Sequence, residues 1–152
     1  MRIMGKSEVT TKQRWILWAA RAAVAAVCAS NLSAAIPFAL NPGAYTRGFE
    51  VAGVGGEALV RALGVAFLMW QVAYVPVIWN PRNRACFHVI LAMQVVGLAG
   101  EAWMVLSLPE GHAALMATGQ RFIMFDGAGL VVLALAYLAV WLAARRDVTP
   151  AD

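Results

Sequence analysis

This 152-residue chain predicts an all-α, polytopic integral membrane protein: a four-helix transmembrane bundle with both termini in the cytoplasm. Three observations predict it. Apolar residues gather into four runs, at roughly 15–38, 56–79, 86–108 and 121–144. Each is long enough to cross about 30 Å of hydrocarbon. Charged residues make up 13% of the chain and apolar residues 62%, too few charges to clothe a small soluble protein. The basic residues are also distributed unequally between the ends of the runs. Arg2, Lys6, Lys12, Arg14, Arg82, Arg84, Arg145 and Arg146 fall on one side of a four-crossing topology, and in the opposite loops only Arg47 does. That asymmetry assigns the rich side to the cytoplasm. The expected organisation is a tail over 1–14, the transmembrane domain over 15–144 and a tail over 145–152, in a bacterial cytoplasmic (inner) membrane.

The first run, WILWAARAAVAAVCASNLSAAIPF, is rich in alanine and suited to close helix contact. Its basic start and the small residues Ser33–Ala35 loosely fit a cleavable signal. Its length, and Trp15 and Trp18 at the border, favour a retained helix. Arg21 is expected to snorkel to the cytoplasmic headgroups. Pro37 is expected to kink or end the helix. The following loop, with Asn41-Pro42-Gly43 and Tyr45-Thr46-Arg47, has turn chemistry and is expected to cover the outer mouth of the bundle.

The second run places Glu57 and Arg61 one turn apart on a face continued by Gly64, Leu68, Gln71 and Val75. The third carries Gln94, Gly97 and Glu101 along one stripe. His88 lies off that stripe and reads as an interfacial histidine without a partner. The fourth opens with GQRFIMFDGAGL, with Arg121 at the outer border and Asp126 deeper. Helices two and four run inward from the outer face, and helix three runs outward. By depth, therefore, Glu57, Arg61, Glu101, Arg121 and Asp126 share the outer third of the membrane. Gln71 and Gln94 are the polar steps below them.

A charge facing lipid costs about 2.5–3.5 kcal/mol on insertion scales, so these five are expected to face one another as one connected site. Three acids and two arginines sum to minus one. That excess favours protonation of one acid, hydration or a bound cation. Several readings remain open. The reading these features favour is a structural or accessory subunit without a reaction of its own, its charges locking the bundle against a membrane-protein partner or a second copy. The charges can instead line a cavity that binds or moves a small amphipathic molecule, a lipid, a quinone or an ion. A catalytic pocket finds no support in any nucleophile arrangement, metal spacing or cofactor motif. No cofactor is expected. Cys28 and Cys86 sit at different depths and read as small hydrophobes. The short loops leave no room for a nucleic-acid-binding domain, and the net charge of +4 reflects residues at membrane borders.

The stretch Leu59-Val60-Arg61-Ala62-Leu63-Gly64-Val65-Ala66-Phe67-Leu68, with Arg121-Phe122 ahead of Asp126, resembles the small four-helix bacterial membrane proteins of the DoxX-like group. The resemblance implies a compact four-helix bundle and an accessory role. Some members of that group are linked to quinone-dependent or sulfur redox complexes.

Overall fold

The computed structural model describes residues 11–146. Five α-helices make four crossings. They are α1 (Thr11–Leu40), α2 (Gly53–Gln71), α3 (Tyr74–Trp79), α4 (Arg84–Ser107) and α5 (Ala113–Arg146). Four stretches, with α2 and α3 counted as one, are long and apolar enough to span a bilayer. The protein is an all-α, four-helix membrane-spanning bundle. Trp15, Trp18 and Trp79 are exposed towards one end and Trp103 towards the other, as side chains at the two membrane–water interfaces are.

Several boundaries differ from the sequence expectation. The described part of α1 starts at Thr11 and already includes Lys12 and Arg14, which the sequence assigns to a tail; Arg2 and Lys6 lie outside the described residues, as does the chain beyond Arg146. Pro37 is accommodated inside α1, whose last turn closes with Asn41 N–H donating to Pro37 O at 2.8 Å. The second crossing is broken. Pro76 has no N–H to donate to the Val72 carbonyl and its ring crowds it. The chain answers with three-residue turns, Val72 N–H to Met69 O at 3.3 Å and Ala73 N–H to Trp70 O at 3.2 Å. The last crossing starts eight residues before the expected 121. Hydropathy finds the lipid-crossing part of a helix, whereas Ala113–Gln120 is rich in strong helix formers that extend it beyond that slab.

The helix α1 packs against α2 and α5, α5 against α4, and α3 against α1 and α4. No extended interface joins α2 to α4 among the described residues. Close contact of α1 and α2 depends on Gly64. A Cβ there would fall 2.5 Å from Ala39 N and 2.9 Å from Ala35 O, so only glycine lets the two backbones approach this far.

One end of the bundle is solid. Val24, Val77, Phe87, Ile90 and Leu133 are fully enclosed and continue into Ala20, Val27, Cys28, Ala136 and Val140. The Asn80–Asn83 turn seals this end. Asn83 caps α4 by accepting from Cys86 N–H at 3.2 Å. Arg21 does more than snorkel. It donates to Trp79 O at 3.1 Å and lies over the Trp18 ring, tying α1 to the end of α3. His88 has a partner after all: its Nε2 is 2.7 Å from Tyr137 Oη, joining α4 to α5.

Candidate functional site

The other end of the bundle is hollow. A cavity of about 350 Å³ opens between α1, α2, α4 and α5 beneath the loop that follows α1. That loop folds as two short 3-10 turns, Pro42–Ala44 and Thr46–Phe49. Tyr45, Gly48 and Phe49 form the cavity roof.

The roof is held from α5. Thr118 Oγ1 donates to Gly48 O at 2.8 Å. Glu50 Oε1 accepts from Ala114 N–H at 3.0 Å and Leu115 N–H at 3.1 Å. This carboxylate satisfies free donors at the positive end of α5. Glu50 Oε2 lies 2.5 Å from His112 Nδ1. The His112 bond, followed by the backbone donors, holds the Glu50 carboxyl below its ordinary range. Glu50 adopts a left-handed backbone with φ of 53°, sparsely populated for a side-chain-bearing residue. These side-chain contacts compensate that conformation.

Beneath the roof runs a collar of aromatic rings. Phe38 contacts Tyr45, Phe49, Phe67 and Phe122 at centroid separations of 4.8 to 6.4 Å. Trp70 extends the collar from Phe67 at 6.0 Å. Three of the four Phe38 pairs are edge-to-face, an arrangement favoured by the ring quadrupoles. Trp70 and Phe125 line the cavity and also reach the bundle surface, where they are 39% and 64% exposed. These two rings form the wall between the hollow and the membrane side.

The polar floor comes from α2, α4 and α5. Glu101 and Asp126 carboxyl groups meet within hydrogen-bond reach. Gly97 makes room for them: a Cβ there would lie 3.3 Å from both Asp126 Oδ2 and the Trp70 ring. Gln94 braces the floor, its Nε2 donating to Asp126 O at 3.1 Å and its Oε1 accepting from Tyr74 Oη at 2.8 Å. Gln71 donates from Nε2 to Phe67 O at 3.2 Å. Two buried acceptors are left without a protein donor, Gln71 Oε1 and Glu101 Oε2.

Of the seven residues proposed from sequence, Gln71, Gln94, Glu101, Arg121 and Asp126 line this cavity; Glu57 and Arg61 do not. The face of α2 that carries Glu57, Arg61 and Gly64 meets the end of α1 instead. Arg61 Nε donates to Ala39 O at 3.3 Å, supplying a cation to the carbonyl end of α1. Glu57 sits against the first 3-10 turn, close to Gly43. Arg121 lines the cavity from an exposed position. Among the described residues the single ion pair is Glu50–His112, so the expected arginine–carboxylate pairs are not formed. No group of three or more His, Cys, Asp and Glu side chains is placed to hold a metal among the described residues.

Sequence reasoning missed the aromatic collar and the Glu50 tie. The spacing of Glu50 ahead of α2 held no signal for the latter, because its partners are more than sixty residues away. The chain matches no protein-family model, no curated protein and no solved structure.

Proposed function

We propose that the protein is a membrane-embedded binding protein whose cavity takes up a small amphipathic molecule. The observation that carries this reading is the cavity of about 350 Å³, with an aromatic collar above and orphaned buried acceptors below. Ligand sites have this construction, an apolar wall with a few convergent polar groups. An accessory subunit locked by ion pairs would instead be expected to fill this space with side chains and to pair Arg61 or Arg121 with an acid. The DoxX-like resemblance is compatible with either role and enters the proposal only as topology.

The solid opposite half supports binding with access from one side rather than a continuous pore. We infer from the bias of basic residues that the hollow end faces the outside of a bacterial inner membrane. The occupant would reach the cavity from the outer leaflet, past Trp70 and Phe125, or from beneath the 3-10 turns.

Binding of naphthylethanol to the protein in phosphatidylcholine nanodiscs tests the reading, with empty nanodiscs as the partition control. Saturable binding is expected, and Ala34→Phe, which projects a ring into the cavity, should abolish it. Uptake no greater than in empty nanodiscs would contradict the proposal, as would saturable binding that Ala34→Phe leaves intact.

A further inference from the structure

The polar atoms lining the cavity are unequal in what they have left to offer. Three of the donors are engaged with the protein. Ser33 Oγ gives its proton to Ser30 O at 2.6 Å, Thr118 Oγ1 to Gly48 O, and Gln94 Nε2 to Asp126 O. Tyr74, behind Gln94, donates to it. What remains unpaired in the floor is acceptor: Gln71 Oε1, on a residue only 6% exposed, and Glu101 Oε2, beside the Asp126 carboxyl. The Gln71 bond to Phe67 O fixes its amide orientation, so the free end is the oxygen. A ligand that satisfies this floor must bring hydrogen-bond donors.

The charge and the rings point the same way. Fully ionised, Glu101 and Asp126 contribute two negative charges to the lining and Arg121 one positive, a formal sum of minus one, and two carboxyls this close need a proton or a cation between them. Arg121 stands exposed and forms no ion pair with either acid, so the excess is concentrated at the floor. Above it, Phe38, Phe49, Phe67, Phe122 and Trp70 present ring faces and edges to the cavity. Aromatic faces attract cations, most strongly where water is excluded. Carboxylates form shorter, stronger hydrogen bonds to cationic donors than to neutral ones.

On the premise that the cavity is a binding site, we propose that its occupant is an organic cation, a protonated amine on a compact apolar body. The ammonium group donates to Glu101, Asp126 and Gln71 Oε1, and the apolar body lies within the aromatic collar. A free amine from the aqueous phase and an amine-bearing lipid share this chemistry.

Three probes of one shape separate the possibilities: naphthylethylamine, naphthylethanol and naphthylacetate, each titrated against the protein in phosphatidylcholine nanodiscs at neutral pH. The amine should bind about tenfold or more tighter than the alcohol, and the acetate weakest. Glu101→Gln and, separately, Asp126→Asn should each reduce the amine-to-alcohol ratio to about threefold or less. Far-ultraviolet circular dichroism and thermal melting would identify a variant that fails to fold, and the other then decides. Replacing part of the phosphatidylcholine with phosphatidylethanolamine distinguishes the sources. Competition by that lipid would assign the amine to a headgroup, and its absence to a free molecule.

Saturable binding of all three probes with similar affinity would overturn the cation assignment and leave the cavity reading standing. An amine preference that survives both substitutions would overturn the assignment of the floor. No saturable binding by any probe would overturn both the assignment and the reading on which it rests.

Discussion

The two halves of this bundle are built from similar helices yet solve different problems. In the solid half, Val24, Phe87, Ile90 and Leu133 interlock with no exposed surface, and His88 pairs with Tyr137 across two helices. In the hollow half, large rings stand around a space, and polar acceptors are buried without donors. Lipid is as apolar as leucine, so close packing rather than escape from water holds membrane helices together. A half that forgoes packing and leaves acceptors unpaired carries a stability deficit. That deficit is intelligible if the space serves a ligand, and the solid half supplies the rigidity that keeps it open.

This contrast makes the same kind of substitution behave differently at the two ends. Phe87→Ala, in the solid half, removes a ring packed against Tyr137 and should destabilise the bundle by about 3 kcal/mol or more. Phe125→Ala, on the cavity wall and 64% exposed, should cost less than about 1 kcal/mol. Thermal or denaturant unfolding in mild detergent measures both. Equal losses would erase the distinction between the halves.

The helix crossing beside the cavity offers the next largest effect. Gly64→Ala puts a Cβ against the Ala39 backbone, and a backbone cannot move aside as a flexible side chain does. The expected loss is about 1–3 kcal/mol, with α2 displaced from α1 and ligand affinity altered. A neutral result by the same unfolding assay would show that α2 floats freely, and the cavity shape with it.

At the boundary between the halves, Tyr74→Phe removes the donor to Gln94 Oε1 and strands that acceptor. A loss of about 1–3 kcal/mol follows. The double variant Tyr74→Phe with Gln94→Leu should lose less than the sum of the two single changes. Additivity would mean that Tyr74 and Gln94 do not work as a unit.

The smallest effect belongs to the roof. The Glu50 carboxyl is held below its ordinary value of 4.5 by His112 and the first donors of α5. Its contribution to roof stability is therefore complete above pH 4.5 and is lost as the pH falls through the lowered folded value. Amide exchange over residues 42–50 should accelerate on that descent, and Glu50→Gln should show faster exchange already at neutral pH with little change in the remainder. Exchange that ignores both acid and the substitution would show that Thr118 holds the roof by itself.

The sequence made the crossings far more legible than the neighbours that each helix face meets. Four crossings follow from run length and hydropathy, which are properties of each helix alone. The approach of Gln94, Glu101 and Asp126 follows from their depths on antiparallel helices. Depth does not tell which neighbour a helix face meets, and for that reason depth alone groups Glu57 and Arg61 with the same site. In the bundle their face of α2 abuts the end of α1, where Arg61 caps Ala39 O. The collar was invisible for a related reason. Phe38, Phe49, Phe67 and Phe122 come from four separate elements, and a phenylalanine in an apolar segment looks like any lipid-facing residue. The break at Val72-Ala73 had a visible cause in Pro76, but a proline in a membrane helix can also be carried as a kink.

Cysteine reactivity measures the contrast between the halves most directly. In a protein carrying Cys28→Ala and Cys86→Ser, one further substitution is made at a time, Ala34→Cys in the cavity wall or Ala136→Cys in the solid core. A small, water-soluble methanethiosulfonate is then applied in nanodiscs, with and without naphthylethylamine. The thiol at position 34 is expected to react readily and to be protected by the amine, while the thiol at position 136 stays inert under both conditions. Inert thiols at both positions would mean that the hollow half is packed shut, and equal reaction at both, unaffected by the amine, would mean that the two halves do not differ.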